Sequence, residues 1–284
     1  MRVVQWSELI AGVSDVRGEI ALTFGVFDGV HRGHTALFDL VGRNRGTAAP
    51  AVFTFAESPQ KELRPSTYPG DVLSPRQKLE RLEEHGIEVA IVADFDARFR
   101  LMSGTEFLDR LMAGLDVSHA AVGPDFHCGR NMDTDARAVA RYFSSRGVRV
   151  DIAQAVHHNS TPVSSTRIRQ AIAAGDFETV RVLLGGSFVL DLRDVTIETS
   201  HREVWVPRSF IGQVIPFSGA FHSTIYTGGR SVEGVAHVDP DGIRLTVVGD
   251  GAASDADVHQ IEFNARAGTG IEGERDVAYQ RGKG

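Results

Sequence analysis

Residues 20–41 read IALTFGVFDGVHRGHTALFDLV. The stretch opens on an apolar run of strand length, Ile20 to Phe27, and breaks at Asp28-Gly29. From Leu37 onward, apolar side chains recur at helical spacing. An apolar run, a glycine turn and an amphipathic helix in this order predict one strand–turn–helix unit.

The same alternation continues over the next 150 or so residues and predicts a Rossmann-like α/β domain over residues 1–186. Further strands are predicted at Ala49–Phe55, Val89–Val92, Ala120–Val122 and Arg149–Ala155. Helices are predicted at Pro75–His85, 104–114, 134–146 and Thr166–Leu184, the last split at Gly175-Asp176. Strands that alternate with helices favour right-handed crossovers and a parallel sheet, with ligands at the carboxyl ends of its strands.

The pattern changes after Gly185-Gly186. Short alternating segments follow at Val195–Glu198, His222–Tyr226 and Gly242–Val248, separated by turns rich in Gly, Asp and Pro. This pattern predicts a small antiparallel, β-barrel-like domain over residues 187–284. The polar, glycine-rich end predicts a mobile tail from about residue 268.

Composition narrows the class of protein. The 284 residues carry a formal net charge of −7, which is unlike a protein built to hold a nucleic acid. The single cysteine, Cys128, fits a reducing compartment, and neither a secretion signal nor an apolar run of membrane-spanning length is evident. We expect a cytoplasmic protein that binds neither nucleic acid nor membrane, and the sequence leaves a homo-oligomer open.

The sharpest chemical signature is Gly25 to His34. Gly29 and Gly33 allow a tight turn and close approach of a ligand, while His31 and His34 stand at the start of the next helix. Helix amides and two imidazoles can donate hydrogen bonds to phosphate oxygens there. Taken alone, the motif is equally compatible with a surface turn or half of a metal site.

A second signature lies near the other end of the same domain. Ser164, Ser165 and Thr166 open a predicted helix, and Arg167 and Arg169 follow. Hydroxyl groups can cap the helix and contact phosphate, and arginines can clamp phosphate oxygens. Alone, the stretch is more often a well-capped helix with two solvent-facing arginines. Both signatures follow predicted strands, and that combination favours an active site.

Together the two signatures resemble those of the HxGH nucleotidyltransferases. Within that superfamily, the chain is similar to the FMN adenylyltransferase module of bacterial bifunctional riboflavin kinase/FAD synthetases. The resemblance runs from about residue 20 to residue 186. It also includes Val52-Phe53-Thr54-Phe55, Lys78-Leu79, Val122-Gly123-Pro124-Asp125-Phe126 and Gly175-Asp176-Phe177 leading to Leu183-Leu184-Gly185.

The resemblance implies transfer of AMP from ATP to FMN, with Mg²⁺, to give FAD and pyrophosphate. Its implied catalytic residues are His31, His34, Ser164 and Arg167. Its implied ATP-binding residues are Gly25, Phe27, Asp28, Gly33, Ser165, Thr166 and Arg169. Its implied flavin-binding residues are Phe55, Asp125 and Phe126, and no metal ligand is identified. A phosphate monoester is already largely dianionic at neutral pH, so the reaction requires no strong general base.

The chain departs from the family at three places. Glu57-Ser58-Pro59 replaces the usual Pro-His-Pro, and Cys128 replaces a common aromatic residue. The Gly-rich loop and the Pro-Thr-Ala-Asn stretch of the riboflavin kinase domain have no counterpart after residue 186. We therefore predict no kinase activity, and a vestigial barrel that serves packing or oligomer contacts. Transfer to another phosphorylated acceptor and a catalytically silent flavin- or nucleotide-binding paralogue stay open as alternatives.

Overall fold

The computed structural model describes residues 1–200, 203–247 and 258–267. For residues 199 and 200 it describes the backbone alone. Its strands are β1 (Arg2–Gln5), β2 (Glu19–Phe24), β3 (Ala49–Phe55), β4 (Val89–Ala93), β5 (Asp116–Val122), β6 (His127–Cys128), β7 (Thr134–Asp135), β8 (Arg149–Ile152), β9 (His157–His158), β10 (Thr161–Pro162), β11 (Val189–Asp191), β12 (Glu198–Ser200), β13 (Glu203–Pro207), β14 (Gly219–Thr227), β15 (Arg230–Asp239), β16 (Gly242–Val247) and β17 (Val258–Arg266). Its α-helices are α1 (Trp6–Ile10), α2 (Arg32–Asn44), α3 (Pro59–Leu63), α4 (Pro75–Glu84), α5 (Ala97–Leu101), α6 (Gly104–Gly114), α7 (Ala136–Ser144), α8 (Ser165–Ala174) and α9 (Phe177–Leu184).

Side chains in the local sequence begin and end most of these helices. Ser74 caps α4 and forms a reciprocal capping box with Gln77, and Pro75 occupies the first turn, where its missing N–H has no consequence. Ser164 caps α8, whose end is set by Gly175 in the left-handed conformation. The residues that predict helix ends in the sequence therefore cap these two helices in the structure.

The first sheet is parallel and six-stranded, in the order β1-β4-β3-β2-β5-β8. The chain passes outward from β2 through β3 to β4 and then returns to place β5 on the other side of β2. In a sheet of this order the loops that leave β2 and β5 run in opposite directions, so we expect a crevice between them at the carboxyl edge. In open α/β sheets this switch point is where ligands bind.

The second sheet is antiparallel and seven-stranded, in the order β11-β17-β14-β15-β16-β13-β12. Strands from across it contribute to one hydrophobic cluster, so the sheet curls around a common core in a barrel-like way. Helices α8 and α9 complete that core: the Phe177 ring stacks at 5.3 Å from Phe263 and 6.3 Å from Phe188. The core of the second sheet thus extends across residue 186, and the domain boundary placed there stays a prediction.

The predicted fold class, a Rossmann-like parallel sheet followed by an antiparallel barrel-like sheet, is confirmed. The predicted strand Val195–Glu198 is wrong, because β12 begins only at Glu198. Val195 and Ile197 instead pack from the loop, partly buried, against the second core. The tail after residue 267 lies outside the described residues. Among those residues, no helix combines the length and apolar character required to cross a membrane.

Candidate active site

The turn after β2 places two imidazoles face to face. His31 is the N-cap of α2, and its Nδ1 accepts a hydrogen bond from the backbone N–H of His34 at 3.4 Å. The two rings stack with centroids 3.7 Å apart and planes 12° apart. His34 also meets the edge of the Phe27 ring at 5.1 Å. Sequence spacing alone brings both side chains to the amino end of the helix.

The backbone of this turn is held in unusual conformations. Phe27 and Val30 have φ values of 51° and 40°, in the left-handed region that side chains with a Cβ disfavour. Between them, Gly29 has φ 95°, which glycine adopts without strain. A Cβ at Gly33 would lie 3.1 Å from the His31 ring, so a larger residue there would press on the imidazole. Such strain persists only where the surroundings hold it.

Burial keeps both histidines neutral in the free protein. It lowers the pKa of His31 to about 4. Burial, together with the neighbouring His31, holds the pKa of His34 well below its usual range. Because Nδ1 of His31 accepts a hydrogen bond, the proton of the neutral ring is assigned to Nε2. Nδ1 of His34 is buried and has no hydrogen-bond partner among the described residues. Each ring therefore has a nitrogen that no hydrogen bond among the described residues uses.

The structure brings the two sequence signatures together. Ser165 Oγ donates a hydrogen bond to the backbone oxygen of Asp28 at 2.6 Å. The carbonyl oxygen of Val163 lies 3.7 Å from the position that a Cβ on Gly33 would occupy. The amino ends of α2 and α8 thus lie side by side, although about 130 residues separate them in sequence.

The remaining residues of the second signature have different roles in the free protein. Ser164 Oγ accepts from the backbone N–H of Arg167 at 3.3 Å and caps α8. Thr166 is exposed. The guanidinium of Arg167 donates to the carbonyl oxygens of His158 and Thr161, at 3.0 and 3.1 Å. The short β9–β10 hairpin therefore orients Arg167 beside the start of the helix.

Asp28 and Arg169 form a buried ion pair under the turn. Their side chains are 5% and 8% exposed, and the Arg169 guanidinium donates to Asp28 Oδ2. Asp28 Oδ1 accepts from the backbone N–H groups of Val72 and Leu73, at 2.7 and 3.3 Å. Burial raises the pKa of Asp28, and the Arg169 charge opposes that rise. Both side chains were expected at ATP; the structure pairs them with each other, so direct contact with ATP stays a prediction.

Sequence reasoning gave no role to three further polar residues of this network. Tyr68 Oη donates to Asp71 Oδ1 at 2.5 Å, and Arg169 reaches Tyr68 Oη at 3.3 Å. Lys78 Nζ donates to the carbonyl oxygens of Phe55 and Ala56, and burial lowers its pKa. The resemblance includes Lys78 without a role, and its position four residues before Leu82 on an amphipathic helix is the sequence signal for its burial.

The predicted flavin residues lie at the carboxyl ends of β3 and β5, on either side of β2. Phe55 packs against Phe99 at 5.1 Å, and Phe126 packs against Phe24 at 5.6 Å. Asp125 is exposed. Aromatic side chains thus lie on both sides of the carboxyl end of β2, while the contact of each with a flavin stays a prediction.

The substituted positions are integrated into the structure. Cys128 is partly buried, and burial raises the pKa of its thiol to about 12. Glu57 pairs on the surface with Lys61 at 2.6 Å, and Ser58 caps α3. Within the described part of the chain, no group of three or more His, Cys, Asp or Glu side chains has the arrangement of a metal site.

Comparison with known proteins gives a consistent picture. A model of the FAD synthetase family matches residues 14–167. A Pseudomonas fluorescens protein named bifunctional riboflavin kinase/FMN adenylyltransferase is 32% identical over 90% of this chain and 84% of its own length. A Listeria monocytogenes protein named FAD synthetase is 30% identical over 58% of this chain and 68% of its own length.

Among solved structures, the chain resembles the following one in fold over nearly its whole length. It is titled a macrolide-efflux protein from Streptococcus pneumoniae and superposes with a TM-score of 0.81, covering 96% of this chain and 94% of that one. The two sequences are only 19% identical, so the likeness describes the fold alone.

Proposed function

The chain belongs to the FAD synthetase family of nucleotidyltransferases, and from this premise we propose that it transfers AMP from ATP to FMN, giving FAD and pyrophosphate. The observation that carries the proposal is the meeting of the two signatures, with Ser165 Oγ bonded to the Asp28 carbonyl at 2.6 Å. That contact puts two helix amino ends and two imidazoles at one crevice, where polyphosphate is the ligand best matched to the donors.

In the proposed step, a phosphate oxygen of FMN attacks the α-phosphorus of ATP. The bond from that phosphorus to the bridging oxygen of the β-phosphate breaks, and pyrophosphate leaves with the electron pair. The FMN phosphate is largely dianionic at neutral pH, so no proton has to be removed from it. Positioning and neutralisation of charge then account for most of the acceleration.

The histidines supply hydrogen bonds rather than positive charge in the ground state. A neutral His31, with its proton on Nε2, can donate to a phosphate oxygen as charge builds on the leaving pyrophosphate. The α8 amino end, with Thr166 and Arg167, would hold the triphosphate. Phe55, Asp125 and Phe126 would flank the flavin and its phosphate.

We propose that Mg²⁺ reaches the site on ATP. Asp28, a carboxylate beside the turn, is already engaged by Arg169 and two backbone amides, which does not fit a role as a metal ligand. Magnesium is commonly held by substrate phosphates and water, and it would neutralise the leaving pyrophosphate.

The cytoplasmic location belongs to the same proposal, supported by the single cysteine.

Loss of riboflavin kinase activity is the second part of the proposal. The supporting observation is the missing Gly-rich loop and Pro-Thr-Ala-Asn stretch after residue 186. Two alternatives rest on the altered residues Glu57 and Cys128: another phosphorylated acceptor, and a silent binding protein. Retention of the strained turn with both histidines disfavours a silent protein, because strain of this kind is kept where it serves a site.

The test is chromatography of the products after incubation of the purified chain with ATP and Mg²⁺, in parallel with FMN and with riboflavin. FAD from FMN and nothing from riboflavin is the expected result. Formation of FMN from riboflavin would contradict the loss of kinase activity. Absence of product from FMN would reject FAD synthesis and favour another acceptor or a silent protein. His34→Ala, which removes a proposed phosphate ligand, serves as the blank for contaminating enzyme.

A further inference from the structure

We propose that Gln213, in the C-terminal half of the chain, is a positioning residue for the turn that carries His31 and His34. The inference rests on the proposed function for its kinetic readout. Gln213 follows the short loop after β13 and is 3% exposed. Through this residue, the antiparallel half of the molecule holds the active-site turn of the other half.

The Gln213 side chain is fully engaged at the junction of the two sheets. Its Nε2 lies 2.9 Å from the carbonyl oxygen of Val72 and 3.1 Å from both Gln77 Oε1 and the Val189 carbonyl. Its Oε1 accepts from the backbone N–H of Asp191 at 2.7 Å. A buried amide satisfied on both sides fixes the backbone segments that it joins.

The backbone around Gln213 clamps the same loop. Asp71 N donates to the Gly212 carbonyl at 3.0 Å, and Val214 N donates to the Asp71 carbonyl at 2.8 Å, as in a short parallel bridge. A Cβ at Gly70 would lie 2.6 Å from the nitrogen of Val214. Two backbone hydrogen bonds and this close approach therefore fix the position of loop 70–73 against residues 212–214.

That loop in turn holds the active-site turn. Asp28 Oδ1 accepts from Val72 N at 2.7 Å, and Arg169, the ion-pair partner of Asp28, donates to the Gly70 carbonyl at 3.0 Å. Asp28 stands between Phe27 and Val30, the two non-glycine residues of this turn with positive φ. Because the turn is strained, it keeps its shape only while Asp28 is anchored. Gln213 thus acts on the histidines through Val72 and Asp28.

The two halves also meet through contacts that bypass the loop. Arg76 pairs with Asp194 at 2.7 Å, and both side chains are exposed. If the C-terminal half only stabilised its neighbour, loss of either contact would lower thermal stability and leave turnover per folded molecule unchanged. If Gln213 positions the turn, its loss alone lowers turnover. Arg76→Ala is the matched control.

The test uses the full chain with two Gln213 variants. Gln213→Met keeps the shape and deletes the donor and the acceptor. Gln213→Glu keeps the acceptor for the Asp191 N–H and replaces the two N–H donors of the amide with at most one donor, that of a protonated carboxyl group. The assay uses ATP and FMN at a temperature well below the unfolding midpoint of each variant. We expect kcat to fall about tenfold in both variants and KM for ATP to change much less. Arg76→Ala should retain wild-type kcat.

Hydrogen exchange measured by mass spectrometry gives a readout that needs no turnover. Peptides covering residues 25–35 should exchange faster in both Gln213 variants than in wild type and Arg76→Ala. Unchanged kcat and unchanged exchange in this segment, whatever the unfolding midpoint, would overturn the inference. If wild type makes no FAD, the proposed function fails, while the exchange data still decide whether Gln213 holds the turn.

Discussion

The two halves of the molecule differ in how relaxed their backbones are. Within the described residues, every non-glycine residue with positive φ lies at or before Ser160, and Phe27 and Val30 flank the histidine turn. Among the described residues after 186, positive φ occurs at a glycine, Gly229. Both halves have well-packed aromatic cores, around Phe24 in the first and Phe263 in the second.

This difference indicates that close packing alone does not require a strained backbone, whereas the candidate site contains one. In the described part of the C-terminal half, a filled core forms with no non-glycine residue in the left-handed region, and its buried carboxylate, Asp191, pairs with an arginine, Arg193, whose side chain is still 22% exposed. The parallel-sheet half carries a strained turn over a buried ion pair, which is a costly arrangement in a low-dielectric interior. Three measurements sharpen the contrast or break it.

The largest effect is expected on stability, from Asp28→Ala. The change leaves the Arg169 guanidinium buried without its carboxylate, so the free energy of unfolding should fall by about 3–5 kcal/mol. Urea denaturation at pH 7 measures it. The control is Glu203→Ala, which breaks an exposed pair with Arg244 in the C-terminal half and should lower stability by less than about 1 kcal/mol. Equal losses would remove the energetic contrast between the halves.

The next effect is on turnover. His31→Ala or His34→Ala should lower kcat for FAD formation at least about 10²-fold and weaken ATP binding much less, if the imidazoles act mainly on the transition state. Steady-state kinetics with a separate ATP-binding measurement distinguish the two effects. Glu233→Gln, an exposed change on β15, should stay within about twofold. Equal loss of binding and turnover would contradict the assigned role of the histidines.

The smallest effect is on the pH dependence of stability. An unfolded chain protonates His31 near pH 6.5, whereas the folded chain resists until its pKa of about 4. The unfolded state therefore binds more protons in this window, and stability falls as the pH drops through it. Between pH 8 and pH 5, the His31 contribution should be about 2 kcal/mol.

Denaturation at the two pH values in wild type and His31→Asn isolates that contribution. Asparagine keeps an N-cap acceptor but does not titrate. If His31→Asn has the same pH dependence as wild type, the imidazole is not held neutral by burial.

Local patterns sufficed to predict most of the fold. The third strand was predicted with its observed bounds, Ala49–Phe55, because an apolar run between polar loops carries that signal itself. The short β1 has four residues and little pattern, and it forms because it pairs with β4. Val195 and Ile197 show the converse: their alternation fits a strand, yet they pack from a loop.

The candidate site likewise has one part that the sequence pattern predicts and another part that it does not. The histidine turn and the hydroxyl-rich start of α8 are contiguous in sequence, so they could be recognised. The direction of a side chain is not encoded in its spacing, and Asp28 and Arg169 point toward each other because burial of either charge requires a partner. Gln213 lies 141 residues from Val72, and a single hydrogen bond over that distance leaves no local pattern.

The anchor of the histidine turn has a consequence for how the chain matures. Three residues hold Asp28 directly or through the loop 70–73. They are Val72, Arg169 and Gln213, which lie 44 to 185 residues downstream of Asp28. During synthesis the ribosome releases the histidines long before it adds Gln213, so the nascent chain carries the turn without its full support. Contacts this distant in sequence close late, after the entropy of the intervening loops has been lost. We therefore expect the anchored histidine turn to be among the last features that folding completes.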